Sequence, residues 1–195
     1  MEKEDYVISE ILVAAKSLFG QFGLKKTTIE DISLASGKGK STLYNYFPGK
    51  NEIFEAVVKY EMQSVIRRLL ETVDSSLPAK TKLKTFLTVQ STAMVELHSL
   101  YKVLFEDMIE SRKMLMPLRL KYEETQIDMI TRIILTGIDS GEFKQLAVSH
   151  IRKIALVIII AFRGLHFPLS INPAEIRPAE YFDALIDMLV EGIGN

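Results

Sequence analysis

Apolar residues recur at helical spacing along nearly the whole chain, and strand signals are almost missing. The first segment shows a single apolar stripe, formed by Ile8, Ile11, Leu12, Ala15, Phe19 and Phe22. Such a stripe covers one face of an α-helix. The sequence has no sustained alternation of apolar and polar residues and no Asn-Gly or Asp-Gly hairpin turn. The pattern therefore predicts an all-α fold.

Glycine, proline and capping residues divide the chain into about nine predicted helices. The first ends at Gly23, and the second begins after Thr27-Thr28 and ends at Gly37. The others cover roughly 40–47, 50–74, 79–97, 100–111, the stretch from Pro117 to Gly141, 148–165 and 175–192, with a turn over Phe167–Pro173. The linker Ser75–Pro78 separates a domain over 1–50, with its connecting helix 50–74, from a larger helical domain over 75–195.

Composition limits the classes of function. The 24 Lys+Arg residues and 25 Asp+Glu residues nearly cancel, so any DNA-binding face must be local. Cysteine is absent, which excludes disulfides and thiolate metal sites. The N-terminus lacks a signal-peptide pattern, and the apolar run Ile154–Phe162 is far shorter than the roughly 20 residues that span a bilayer. We therefore expect a cytoplasmic protein without a membrane partner.

Residues 29–47 have the layout of a helix-turn-helix. Two short predicted helices, Ile29–Ser36 and Lys40–Phe47, flank a turn with two glycines, Gly37-Lys38-Gly39. In such a motif the second helix lies in the major groove and its N-terminal residues reach base edges. The apolar residues expected in the supporting core are Phe19, Phe22, Ile32, Leu43 and Phe47.

The second helix of the motif carries small and hydrogen-bonding residues that a major groove can accommodate. Thr42 and Asn45 can read base edges, and a threonine methyl can contact a thymine methyl. From Lys25 to Lys50 there are five lysines and two acids, a local charge of +3, while residues 1–66 contain no arginine. The predicted DNA-binding residues are Thr28, Lys38, Lys40, Ser41, Thr42, Tyr44, Asn45, Tyr46 and Lys50.

This segment resembles the DNA-binding domain of the tetracycline-repressor (TetR) family of bacterial regulators. The residues that fall in register with the family pattern are Ala15, Leu18, Phe19, Gly23, Thr27, Thr28, Ile29, Ile32, Gly37, Thr42, Leu43, Tyr44, Tyr46, Phe47 and Lys50. The departures are Ser33 and Ser36 in place of alanines, Lys38 in place of valine, Gly39 in place of a capping serine and Ser41 in place of glycine. Because glycine caps a helix slightly less well than serine, the second helix should begin less firmly here.

The resemblance implies an all-helical homodimer that binds a double-stranded DNA operator and responds to a small-molecule effector. It implies that the last two helices, about 148–165 and 175–192, pair between subunits. Methionine and aromatic side chains suit an adaptable, partly apolar pocket. The candidate pocket residues are Phe86, Met94, Phe105, Met108, Tyr122, Met129, Phe162 and His166.

Other chemistries have weaker support in the sequence. His98, His150 and His166 share no metal-ligand spacing, and we expect no metal or cofactor. The run Gly37–Ser41 lacks the first glycine of a P-loop, and no strand signal precedes it. Glu106 and Glu110, like Glu124 and Asp128, lie one helical turn apart, a spacing typical of solvated helix faces.

The leading hypothesis is a ligand-responsive, dimeric transcriptional repressor and not an enzyme, with helix 40–47 of each subunit on a near-palindromic operator. An alternative is a helical small-molecule-binding protein or enzyme whose DNA-binding domain is vestigial. A third hypothesis, non-specific architectural DNA binding, fits poorly with the near-neutral net charge of −1 and the lack of N-terminal arginine.

Overall fold

A computed structural model describes residues 2–96, 110–171 and 178–193, and these residues form eight helices and no sheet. In chain order the helices are α1 (Glu2–Lys26), α2 (Ile29–Ser36), α3 (Lys40–Tyr46), α4 (Lys50–Val73), α5 (Ala79–Glu96), α6 (Glu110–Asp139), α7 (Val148–Ile171) and α8 (Pro178–Ile193). The predicted all-α class is confirmed. The ninth predicted helix, 100–111, falls almost wholly outside the described residues.

Two predicted boundaries are wrong, and proline is the reason in both cases. The helix expected to begin after Pro117 begins at Glu110 and contains Pro117. The turn expected over Phe167–Pro173 is helical as far as Ile171. A proline inside a helix removes one backbone hydrogen bond, but the turns on either side of it keep their own hydrogen bonds. Proline is therefore a weaker stop signal in long helices than the sequence reading assumed.

The described chain forms two compact units, which share α4 and α6. The first contains the residues up to Gln63 and the start of α6 up to Leu118. The second contains Ser64–Glu96 and the chain from Arg119 onward. The structural division on α4 lies between Gln63 and Ser64, whereas the functional domain limits at residues 50 and 75 remain predictions.

The core of the first unit is built from one face each of α1, α2, α3 and α4. Phe19 and Phe54 meet edge to face, with ring centroids 5.1 Å apart and an interplanar angle of 85°. Other fully buried side chains in this cluster are Ile11, Ala15, Ile32, Leu43 and Ile53. The short helices α2 and α3 are too short to be stable alone, so this packing holds them in place.

The prediction that Phe22 belongs to this core is wrong. Phe22 is 50% exposed, whereas Leu24 is buried in the cluster. Gly23 lies between them with φ 83° and ψ 166°, so the helical path of α1 breaks there. Beyond this break the inward-facing position passes to Leu24, a shift that the uninterrupted helical spacing does not predict.

In the second unit, hydrogen bonds join the end of α6 to the start of α5. Glu142 follows α6, and its two carboxylate oxygens accept hydrogen bonds from the backbone N–H groups of Ala79 (2.9 Å) and Lys80 (3.1 Å). The same carboxylate accepts a bond of 3.0 Å from the Ser140 hydroxyl. These backbone hydrogen bonds hold the pKa of Glu142 below its ordinary value.

One described helix, Glu4–Lys26, is long and apolar enough to cross a membrane by length and composition. Its apolar residues Ile11, Leu12 and Phe19 are buried in the core of the first unit. Lys16 on the same helix lies 2.9 Å from the carboxylate of Glu61. Part of the hydropathy of this segment therefore comes from side chains that the core of the first unit buries.

Candidate DNA-binding site

The N-terminus of α2 is capped by its own side chains. The Thr28 hydroxyl accepts a hydrogen bond of 3.2 Å from the Asp31 backbone N–H and donates one of 2.7 Å to the Asp31 carboxylate. That carboxylate also accepts from the Thr28 N–H at 2.9 Å, which completes a capping box. Hydrogen bonds from the Thr28 side chain and backbone lower the pKa of Asp31. The Thr28 hydroxyl is thus engaged in starting the helix.

The turn between α2 and α3 depends on Gly37 and on two serines that depart from the TetR pattern. Gly37 has φ 64°, the left-handed conformation that glycine adopts without strain, and it ends α2. The Ser33 hydroxyl donates a 2.6 Å hydrogen bond to the Lys38 carbonyl across the turn. The Ser36 hydroxyl bonds back to the Ile32 carbonyl at 2.7 Å. Ser33 therefore fixes the turn by a bond that an alanine could not make.

The recognition helix α3 presents one face to the core and another to solvent. Leu43 is fully buried, whereas Ser41, Tyr44 and Asn45 are exposed. Thr42 and Tyr46, which are also predicted DNA contacts, are half-buried. Gly39 precedes the helix and provides no side-chain cap, as its identity predicts. The exposed face thus displays hydroxyl and amide groups that match the donors and acceptors of base edges.

Three lysines predicted to contact DNA have partners within the first unit. Lys38 Nζ lies 2.7 Å from a carboxylate oxygen of Glu10 on α1. Lys40 forms an ion pair with Glu30 on α2. Lys50 Nζ donates a 3.3 Å hydrogen bond to the Lys25 carbonyl. These ammonium groups are held near the turn and near the N-terminus of α4.

The two ion pairs change the electrostatics of the predicted DNA-binding surface. The hydrogen bond from Lys38 lowers the pKa of Glu10, and the bond from Lys40 lowers the pKa of Glu30. Both carboxylates are therefore charged at neutral pH and offset part of the local positive charge. Sequence reasoning missed both partners, because Glu30 and Lys40 are ten residues apart and Glu10 is on another helix.

Several predicted pocket residues are buried in the second unit. Phe86 on α5, Met129 on α6 and Phe162 on α7 are all buried, and Tyr122 is half-buried. The predicted positions Phe105 and Met108 lie outside the described residues, as do the side chains of Met94 and His166. Pocket membership of all eight remains a prediction.

A buried amide pair in the second unit escaped the sequence reading. The Gln126 side chain on α6 donates a 2.6 Å hydrogen bond to the Gln90 carbonyl oxygen on α5. Both residues are buried among apolar neighbours on their helices. The available signal was that Gln90 continues the apolar stripe of Leu83, Phe86 and Leu87.

The acidic pair Glu124 and Asp128 is explained by an ion-pair network on the second unit. Arg152 on α7 bonds to the Asp128 carboxylate at 2.6 Å and also pairs with Glu124. Across the described residues, no group of three histidine or acidic side chains is arranged to hold a metal ion.

Comparisons with known proteins agree with this geometry. Residues 11–57 match the family model described as "Bacterial regulatory proteins, tetR family". The HTH-type transcriptional regulator YhgD of Bacillus subtilis is 28% identical over 168 residues, which cover 82% of this chain and 86% of YhgD. The HTH-type transcriptional repressor KstR2 of Mycobacterium tuberculosis is 27% identical over 139 residues, covering 69% and 68% of the two chains.

A solved structure extends the likeness of fold to nearly the full length. The transcriptional regulator FadR from Bacillus subtilis, solved in complex with stearoyl-CoA, superposes with a TM-score of 0.73. The superposition covers 95% of this chain and 98% of FadR, at 21% sequence identity. The fold is therefore shared beyond the segment that carries the sequence match.

Proposed function

This chain belongs to the tetR family of bacterial regulatory proteins, and from that premise we propose that it is a ligand-responsive, dimeric repressor of transcription. The observation that carries the proposal is the geometry of α3, which buries Leu43 and exposes Ser41, Tyr44 and Asn45. Two copies of this helix would occupy successive major grooves of a near-palindromic operator, about one helical turn apart or somewhat more.

Selection from a random duplex library tests this function directly. We expect the full-length protein to enrich a near-palindromic sequence, because a two-fold symmetric dimer reads each half-site with the same residues. Failure to enrich any sequence, together with unimpaired folding, would instead support the alternative of a vestigial DNA-binding domain.

Two substitutions separate base reading from phosphate contact on the selected operator. Asn45→Ala should relax preference at particular base pairs, at a cost of about 1–3 kcal/mol for the correct base. Lys50→Ala should weaken binding to all sequences. It should also make the slope of log binding constant against log salt concentration shallower by about one per subunit. Fluorescence anisotropy against the operator and its single-base variants measures both. An Asn45→Ala protein weakened equally on every variant would refute the base-reading role.

The proposed dimer contact uses α7 and α8. The buried face of α7 contains Ala155, Ile158 and Phe162, whereas Val157 and Ile160 on another face are exposed. Met188 on α8 is also exposed. An exposed apolar stripe on an already well-packed helix is typical of a subunit interface. This arrangement supports pairing of the last two helices between subunits.

The effector is proposed to be a partly apolar small molecule bound in the second unit. The buried aromatic and methionine side chains there support this class, and the related regulator FadR was solved with stearoyl-CoA. Stearoyl-CoA should therefore release this protein from its selected operator in the anisotropy assay, with free coenzyme A as the matched control. Unchanged operator affinity at saturating stearoyl-CoA would exclude long-chain acyl thioesters as the effector.

A further inference from the structure

The two ion pairs beside the recognition helix differ in how open they are to DNA. The side chains of Lys38 and Glu10 are 26% and 34% exposed. Those of Lys40 and Glu30 are 52% and 61% exposed. The Lys38 pair therefore ties the turn to α1, whereas the Lys40 pair is the more accessible to an approaching phosphate or base.

We propose that Glu30 is a specificity-determining residue, which holds the charge of Lys40 away from DNA until a well-placed acceptor on the operator displaces it. This inference rests on the proposed function, since it concerns the same DNA-binding face. Lys40 is the first residue of α3, and its Nζ forms an ion pair with the Glu30 carboxylate on α2. An exposed pair of this kind is weak, so good operator contacts can break it.

The pair affects non-specific and specific DNA differently. Non-specific affinity comes almost entirely from lysine and arginine contacts to phosphate and the counterions that they release. A lysine paired with a carboxylate contributes little to this non-specific affinity, and the carboxylate itself repels phosphate. On the operator, a base-edge or phosphate acceptor in the right position can replace the carboxylate. Glu30 thus suppresses sequence-independent binding more than operator binding.

The positions of other charges strengthen the case for Glu30. Lys50 bonds to a neutral carbonyl, so its charge remains available to phosphate. Asp31, the other acid near the turn, is engaged in the α2 capping box. The Glu30 carboxylate accepts the bond from Lys40 and a second bond from its own backbone N–H in the first turn of α2. Glu30→Gln keeps a side-chain oxygen for that N–H and leaves the capping box of Thr28 and Asp31 in place, so it should change the charge at the DNA face without removing a helix cap.

The test is Glu30→Gln, compared with wild type on the selected operator and on a scrambled duplex of equal length over a range of salt. We expect binding to the scrambled duplex to tighten roughly three- to tenfold at low salt, with a salt slope steeper by about 0.9 per subunit. Operator affinity should change less, so the ratio of the two affinities falls. Glu71→Gln, an exposed acid on the part of α4 in the second unit, is the control for net charge.

A double-mutant cycle with Lys40→Gln assigns the effect to the pair. Glu30→Gln should tighten binding to scrambled DNA less in the Lys40→Gln protein than in wild type, because only the repulsion between the carboxylate and phosphate is then relieved. Equal tightening on both duplexes, an unchanged slope, or a gain of the same size without Lys40 would each overturn the inference. Circular dichroism confirms that every variant is folded. If wild type does not prefer the operator at all, the proposed function fails, which is a separate outcome.

Discussion

Gly37 and Gly39 lie two residues apart in the turn before α3, but the backbone needs glycine at only one of them. Gly37 has φ 64°, a conformation that costs other residues strain energy. Gly39 has φ −65° and ψ 149°, which any residue can adopt. A Cβ at position 39 would meet the Ser41 and Thr42 hydroxyls at 3.7 and 3.9 Å, which is ordinary contact. The backbone at position 39 should therefore accept residues other than glycine.

Gly37→Ala should destabilise the protein by about 1–2 kcal/mol, because alanine is strained in the left-handed conformation. Gly39→Ser is the matched variant in the same turn, and it should be neutral or stabilising by a few tenths of a kcal/mol, since it restores a capping hydroxyl. Urea unfolding of both proteins measures the difference. Equal losses for the two variants would show that the turn tolerates neither change for reasons other than φ.

At the residue level the sequence predicted much of the motif and little of its charge pairing. The cap at Thr28, the stop at Gly37 and the burial of Leu43 follow from local rules, and the structure confirms them. The pairing of Lys38 with Glu10 depends on how α1 packs, and helical spacing does not contain that information. Tertiary contacts between distant charges therefore have to be read from the structure.

At the element level, helix existence was easier to predict than helix length. Apolar spacing identified the helices, and α2, α4 and α5 begin at or close to their predicted residues. The continuous helices across Pro117 and up to Ile171 were not predicted, because tertiary packing of long helices overrides one local break. The cap that joins Glu142 to the start of α5 is another long-range contact without a local signal.

Glu142→Gln should lower stability at neutral pH by about 1 kcal/mol, the usual scale for losing a helix cap. The folded-state pKa of Glu142 is below its ordinary value of 4.5. Its contribution to stability is therefore complete above that ordinary pKa and is lost as the pH falls through the lower folded-state pKa. Thermal unfolding at neutral and acidic pH should show wild type and Glu142→Gln converging in acid. Parallel pH profiles for the two proteins would contradict the role of the carboxylate.

The junction of α6 with its following turn provides an independent test of packing. A Cβ on Gly137 would lie 2.2 Å from the buried Phe143 ring, so the ring would have to move. Gly137→Ala should destabilise the second unit by about 1–3 kcal/mol, the range for an overpacked core. Denaturant unfolding measures the loss. Wild-type stability in this variant would mean that Phe143 can repack freely.

At the scale of the whole molecule, the near-neutral net charge and the exposed apolar residues of α7 bear on the proposed DNA binding and dimerisation. The net charge is −1, although the segment from Lys25 to Lys50 carries a local charge of +3. Val157 and Ile160 give α7 an apolar surface that its own unit leaves uncovered. A folded monomer with this surface would be prone to self-association.

Val157→Glu should shift the protein from dimer to monomer, because a charge placed in an apolar interface is left desolvated and unpaired. Val157 is 61% exposed in the single chain, so the change should not disturb the fold. Leu120→Glu, at a 58% exposed position on α6, is the matched control and should remain dimeric. Sedimentation at micromolar concentration distinguishes the two states. A monomeric wild type, or a dimeric Val157→Glu protein, would refute the proposed interface.

The first unit draws part of its core from a distant stretch of chain. Leu115 on α6 is buried in the same cluster as Ile53, Phe54 and Val58, more than fifty residues earlier in the sequence. An N-terminal fragment that stops after α4 would lack this side chain, and losing a buried leucine costs about 2–5 kcal/mol. A fragment cut after α4 to isolate the DNA-binding domain should therefore be less stable than the same unit in the full chain, unless Leu115 is retained or its place in the core is filled.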